Sequence, residues 1–186
     1  MVTEFVSLDG VFEDPGGVSD YEHGGWSFEY DRGEEGDRFK LDEVMETEVQ
    51  LLGCATYDEF AKAWPSRDGE IADKLNNDPK YVVSTSLNDP TWHNTTVITG
   101  DATESISKLK DQTSRVILVA GSGTLVRTLF AADLVDALRL TILGRGKRLF
   151  QDDIDRLKLK LASNKTIGGD GVQLQIYTRS DQKQSA

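Results

Sequence analysis

With a single cysteine, Cys54, among 186 residues, the chain can form neither an intramolecular disulfide nor a multi-cysteine metal centre. Histidine is nearly as scarce: His23 and His93 stand 70 positions apart with no neighbouring ligand pattern, so no metal site is expected. No apolar run exceeds five residues, far short of the roughly 20 needed to cross a bilayer. Residues 1–10 lack the basic start and long apolar stretch of a signal peptide. Basic residues are outnumbered 21 to 32, leaving a formal net charge of −11. Such a surface repels phosphate backbones, so nucleic acid is not an expected partner, and any anionic ligand must be held by a local positive feature. What is present is ordinary globular material, with 38% apolar and 28% charged residues. A chain this long hides about 70% of its unfolded surface and needs no staple. The expectation is a soluble cytoplasmic protein with one domain over residues 1–179 and a polar tail at 180–186.

Val2–Leu8 is β-rich and ends at the turn signal Asp9-Gly10. Residues 10–33 follow with six glycines and one proline, and a loop of that length inside a compact domain is usually a lid or binding loop. From Glu34 to Glu48 the pattern is helical, with Leu41, Val44, Met45 and Glu48 on one side. Val49–Gly53 reads as a short buried strand, followed by a helix over Tyr57–Trp64 that Pro65 stops. Strands are expected at Tyr81–Ser84 and Thr96–Ile98, and a polar helix over roughly 103–112. Val116–Ala120 is the strongest buried-strand signal, since no polar position interrupts it. The helix after it carries Leu125, Val126, Leu129 and Phe130 on one stripe. Toward the end, Leu138/Leu140/Ile142, Leu157/Leu159/Leu161 and Val172/Leu174/Ile176 alternate with polar residues, the period of half-exposed antiparallel strands. The chain is α/β first and antiparallel at its end.

Gly121-Ser122-Gly123-Thr124 leaves the buried strand and opens a helix. Glycines there allow a sharp turn and let a phosphate approach free amides, while Ser122 or Thr124 can cap the helix. The same residues also suit a plain strand-to-helix turn, and they fall short of a full dinucleotide fingerprint. Gly53-Cys54-Ala55-Thr56-Tyr57 is a second such junction, and Val83-Ser84-Thr85-Ser86 a third strand ending in hydroxyls. Three of them can line one edge of an open sheet, where α/β proteins bind ligands. Arg145, Lys147 and Arg148 place three cations in four positions, either an anion clamp or a solvated basic loop. His23-Gly24-Gly25-Trp26, with Phe28 and Tyr30, offers aromatic faces for a planar ring or for a small satellite core. Asp9 is either an acid beside a ligand or a turn residue.

In order and spacing these pieces resemble the dihydrofolate reductase superfamily, and most of all the reductase (C-terminal) domain of the riboflavin-biosynthesis deaminase–reductases and its stand-alone relatives. The marks are Ser7-Leu8-Asp9-Gly10-Val11, His23-Gly24-Gly25-Trp26, Gly53…Thr56-Tyr57, Ala63-Trp64-Pro65, Val82-Val83-Ser84-Thr85, Gly121-Ser122-Gly123-Thr124-Leu125 and Leu143-Gly144…Gly146-Lys147…Leu149-Phe150. The resemblance implies a three-layer α/β/α sandwich with a central mixed sheet and a C-terminal antiparallel hairpin. It implies NADPH as hydride donor, surrounded by Gly53, Thr56, Ser84, Thr85, Gly121, Ser122, Gly123 and Thr124. Asp9 is then the catalytic residue beside the nicotinamide, and Trp26, Asp37 and Arg145 face the substrate, a pterin-like or aminopyrimidine-like heterocycle. The implied activity is that of a 5-amino-6-(5-phosphoribosylamino)uracil reductase or a dihydrofolate reductase, in a homodimer. Two departures stand out: Cys54 replaces an arginine usual after the glycine of the second turn, and the connection before Leu143-Gly144 is short. Both favour the alternative, a non-catalytic homodimer that keeps the fold and binds a nucleotide or flavin.

Overall fold

The computed structural model describes residues 1–7, 10–19, 21–142 and 159–179; the polar tail at 180–186 lies outside the described residues. Eight strands form one sheet in the order β4-β3-β2-β5-β1-β6-β8-β7. They are β1 (Val2–Val6), β2 (Thr47–Gly53), β3 (Lys80–Val83), β4 (Thr95–Ile98), β5 (Val116–Ala120), β6 (Ala137–Ile142), β7 (Leu159–Ile167) and β8 (Val172–Arg179). The first six run parallel; β8 is antiparallel to β6, and β7 pairs antiparallel to β8. The antiparallel hairpin at the end of the chain is therefore present. β6 differs from the expected pattern in one respect: its other neighbour is β1, parallel, with Glu4 opposite Leu140.

Helices cover both faces: α1 (Gly33–Met45), α2 (Cys54–Ala63), α3 (Glu70–Asn77), α4 (Ala102–Gln112) and α5 (Gly123–Ala131). Strand alternation assigns each residue to a layer. Leu51 packs with Val2, Val6 and Val119 against Ile106 of α4 and Leu125, Val126 and Leu129 of α5. Its neighbour Leu52 points the other way, to Tyr57 of α2, Leu75 of α3, Val82 and Trp92. A smaller cluster of Trp26, Ile167, Val172 and Leu174 packs with Phe5 and Phe39 where α1 meets the hairpin. The result is a three-layer α/β/α sandwich over a mixed sheet.

The boundaries depart from expectation for local reasons. α2 starts at Cys54, directly after Gly53, with no side-chain cap, so no hydroxyl marks its start in the sequence. α3 is eight residues long and buries only Ala72 and Leu75, too short a stripe to read as a helix. Lys80 is fully buried on β3, where its ammonium donates to the carbonyls of Asn76 (2.9 Å), Asp78 (2.8 Å) and His93 (3.0 Å). Burial pushes its pKa down to about 8.

Candidate active site at the carboxyl ends of the strands

β2 and β5 are neighbours, and each runs into a helix through a glycine turn. Gly121 and Ser122 both take left-handed backbone, with φ of 59° and 61°. Ser122 holds the cap position of α5 yet makes no capping bond, contrary to the sequence expectation. The left-handed turn swings its side chain toward β2 instead: Ser122 Oγ accepts the Gly53 amide at 2.9 Å and donates to the Ala120 carbonyl at 3.2 Å. The Ser122 amide in turn donates to Thr56 Oγ1 at 2.9 Å. Two strand-to-helix turns, 66 to 69 residues apart in sequence, are thereby cross-linked. Thr124 does not cap either; its hydroxyl accepts from the Arg127 guanidinium at 3.3 Å. The amides of Gly123, Thr124 and Leu125 precede the first intrahelical bond, from the Val126 amide to the Ser122 carbonyl at 2.9 Å, and form the positive end of α5.

Both turns open on a cavity of about 480 Å³, within the range of small-molecule sites. Gly53, Thr56, Gly121, Ser122, Gly123 and Thr124 line it together. Ser84 and Thr85 stand at the end of β3, on the same sheet edge but outside the lining. Ser84 Oγ is engaged locally, accepting the amides of Ser86 (3.2 Å) and Leu87 (3.0 Å). Trp26 does not itself line the cavity; it is buried in the hairpin cluster with its indole N–H on the carbonyl of Glu13, a lining residue, at 2.8 Å. Asp37 is exposed on α1 and pairs with Arg32 at 3.0 Å; it does not line the cavity either. Asp9 and Arg145 lie outside the described residues.

The cavity also contains residues that nothing in the sequence singles out: Glu4, Phe12, Asp14, Lys40, Glu59 and Arg127. Phe12 lies so close to Gly123 that a Cβ there would meet its ring at 2.4 Å. Asp14 pins the segment after β1, its carboxylate accepting the amides of Val18 (2.8 Å) and Ser19 (3.2 Å) and its carbonyl that of Gly25 (2.9 Å). Burial raises the Glu59 carboxyl above the ordinary range, and Asp14 adds to the shift. Glu4 is raised further, by burial foremost. Strand periodicity gives no sign of a buried acid, because a glutamate in a strand ordinarily marks the solvent face.

A second cavity, of about 360 Å³, is lined by Met1, Val116 and Ala137 among others, at the opposite, amino ends of β1, β5 and β6. Ligands in open α/β sheets sit at the carboxyl ends, and the cross-linked turns belong to the larger cavity there.

Residues 1–173 match the RibD C-terminal domain family. The chain belongs to that family. Among curated proteins this RibD C-terminal domain is 28% identical over 142 residues to YyaP, an uncharacterized protein of Bacillus subtilis (strain 168), covering 72% of this chain and 75% of the relative. Among solved structures it is similar to a putative riboflavin biosynthesis protein from Shewanella sp. PV-4, with a TM-score of 0.74 and 19% identity over 97% of this chain and 98% of that one. It is also similar to dihydrofolate reductase from Enterococcus faecalis complexed with NADP(H), with a TM-score of 0.62 and 18% identity over 97% of this chain and 95% of that one. The dihydrofolate reductase-like fold expected from the sequence is thus present. Among the described residues, no helix is long and apolar enough to cross a membrane and no group of histidine, cysteine or acidic residues could hold a metal ion.

Proposed function

We propose that this RibD C-terminal domain protein is an NADPH-dependent reductase of a small pterin-like or aminopyrimidine-like heterocycle. The observation that carries the reading is the meeting of two glycine turns and the start of α5 in one cavity. NADPH, when bound, supplies a hydride to an electrophilic C=N or C=O carbon. The amides of Gly123 and Thr124 fit a diphosphate, as an uncapped helix start does, and Arg127 stands one turn along with a guanidinium beside Thr124. The bare Cα of Gly123 keeps that approach free of a side chain of its own. Gly53, Thr56, Gly121 and Ser122 form the floor, and Ser84 and Thr85, at the next strand end, extend the same edge for the rest of the dinucleotide. Asp9 is proposed as the acid beside the reacting ring.

The test is incubation of purified protein with NADPH and a panel of pterins, folates and aminouracils. Consumption of NADPH with one of them supports the reductase. Tight binding without consumption supports the alternative, a nucleotide- or flavin-binding homodimer. That alternative has an observation in its favour: Cys54, in place of an arginine, lies on the cavity wall.

Cys54 opens α2 on the cavity wall, with its Sγ 4.0 Å from Asp58 Oδ2. An arginine there could give the cofactor 2′-phosphate paired, charge-assisted hydrogen bonds, which a short thiol cannot. Cys54→Arg is expected to tighten NADPH by roughly ten- to a hundredfold, on the order of 1.5–3 kcal/mol, and to leave NADH nearly unchanged. Asp58, four residues along the same helix, competes for the guanidinium and places the gain toward the lower end. Titrating both cofactors against both proteins decides it; equal effects would show that position 54 does not face the 2′-phosphate.

The homodimer is proposed on β7. Among the described residues this strand ends the sheet, its residues 160–166 are exposed, and Leu161 is 46% accessible. An edge of that length presents unpaired amides and carbonyls to a second copy. Light scattering should give twice 20.6 kDa; a mass of one chain excludes the dimer.

A further inference from the structure

Glu4 sits on β1 between Val2 and Val6, both core residues of the α4–α5 layer. Its side chain is buried at 4% exposure, it lines the same cavity as the Gly121 turn, and its Oε1 has no hydrogen-bond partner. The preceding residue, Thr3, is the register partner of Ala120, so the carboxyl stands beside the turn that ends β5, whose Gly121 backbone favours the charged form. The nearest cation on α1 is already engaged: the Lys40 ammonium donates to Thr3 Oγ1 and Glu43 Oε2, each at 2.9 Å. A buried polar atom left without a partner is destabilising, by about 1–3 kcal/mol for a neutral group and more for a charged one. A glutamate between two valines at a cavity wall therefore points to a ligand that satisfies it.

We propose that Glu4 is the polar anchor of the cleft, its Oε1 hydrogen-bonding the carbonyl of an amide or lactam edge on a planar ring laid beside the Gly121 turn. The inference rests on the reductase reading and names a contact within that site. Burial favours the neutral carboxyl, which carries an O–H to donate; the nearby Glu43 works in the same direction, while Lys40 and the Gly121 backbone oppose it. Around the rest of the cavity stand Glu13 and Asp14 from the segment after β1, Glu59 from α2 and Arg127 from α5. A neutral donor suits a carbonyl oxygen. Two sources supply that chemistry: the carboxamide of a nicotinamide, and the lactam of a pterin or aminouracil.

Calorimetric titrations of wild type, Glu4→Gln and Glu4→Leu, from mildly acidic to mildly alkaline pH, test this with three probes. These are NADP⁺, 2′-phospho-ADP-ribose (the same dinucleotide without its nicotinamide) and a pterin and aminouracil panel. The neutral carboxyl is lost as pH rises through its raised pKa, so wild-type affinity should fall with pH. Glu4→Gln keeps an N–H donor and cannot titrate at this position, so its affinity should fall with pH less steeply than that of wild type. Glu4→Leu should bind up to roughly tenfold more weakly at acidic pH, as expected for one neutral hydrogen bond. Weakening with NADP⁺ but not with 2′-phospho-ADP-ribose assigns the anchor to the cofactor carboxamide, and weakening with the heterocycles alone assigns it to the substrate lactam. Wild-type-like binding by Glu4→Leu, or a pH dependence in Glu4→Gln as steep as that of wild type, overturns the anchor and leaves the reductase reading standing. Failure of wild type to bind any probe overturns both.

Discussion

Gly123→Val is expected to lose NADPH binding by about a hundredfold or more while the protein stays folded. The first turn of α5 offers amides that no carbonyl of the helix can accept, and a valine at its first residue stands between them and a diphosphate. Two charge-assisted hydrogen bonds lost at about 1.5–3 kcal/mol each account for an effect of that size. Stability should change little, because Gly123 has ordinary helical backbone and valine has slightly better helix propensity than glycine. The steric conflict is with Phe12, whose ring lies 2.4 Å from where the new Cβ would be. That ring is the end of a movable side chain, and Phe12→Ala removes it. The double variant Phe12→Ala/Gly123→Val separates the two effects: it should regain any lost melting temperature and still fail to bind. If the double variant binds NADPH normally, displacement of Phe12 was the cause and the amides of α5 are not the diphosphate site.

The largest effect on stability is expected from Glu43→Ala. Glu43 lies on the inner face of α1 with its side chain 1% exposed, and it gathers three partners. Lys40 donates to its Oε2 at 2.9 Å, Thr3 Oγ1 donates to the same atom at 2.8 Å, and Arg139 Nη1 lies 3.6 Å from its Oε1. Arg139 also pairs with Glu46, and its Nε is buried without a partner. Removing the carboxylate leaves the ammonium, at 13% side-chain exposure, without its anion. Breaking a buried pair from one side costs about 3–5 kcal/mol. At roughly 2–4 °C per kcal/mol for a chain of this size, the melting temperature should fall by about 6–20 °C. Glu43→Ala/Lys40→Met should recover a large part of the loss, since it removes the stranded charge too. A drop of only a degree or two in the single variant would mean that water reaches Lys40 and the cluster is not a buried one.

The parts of this protein legible in its sequence are those set by local periodicity and turn chemistry. Val116–Ala120 matches its observed bounds because a strand between two parallel neighbours is apolar on both faces. The stripe of Leu125, Val126, Leu129 and Phe130 marks α5, and the glycines at 53, 121 and 123 mark the turns that meet in the cavity. Gly53 and Gly121 end up within one cavity because their strands are adjacent, which no window of sequence contains. The same limit hides Glu4, Lys40 and Glu43: each reads as a solvent-facing charge, and only the packing of helices on both faces of the sheet buries Glu4 and Glu43. Ser122 shows the limit of motif reasoning more sharply. A serine at a helix start is ordinarily a cap, but its left-handed backbone sends the hydroxyl across to β2. Trp26 likewise owes its burial to distant residues, because the hairpin of β7 and β8 supplies Ile167, Val172 and Leu174 to receive it.

The bonds from Ser122 to Gly53 and Thr56 make the ends of β2 and β5 one rigid body before any ligand arrives. Ordering a loop at the moment of binding subtracts from affinity, and here that ordering of the floor is completed during folding. Association should then be limited by side chains that must move, Phe12 first among them, while the backbone beneath is already in its bound shape.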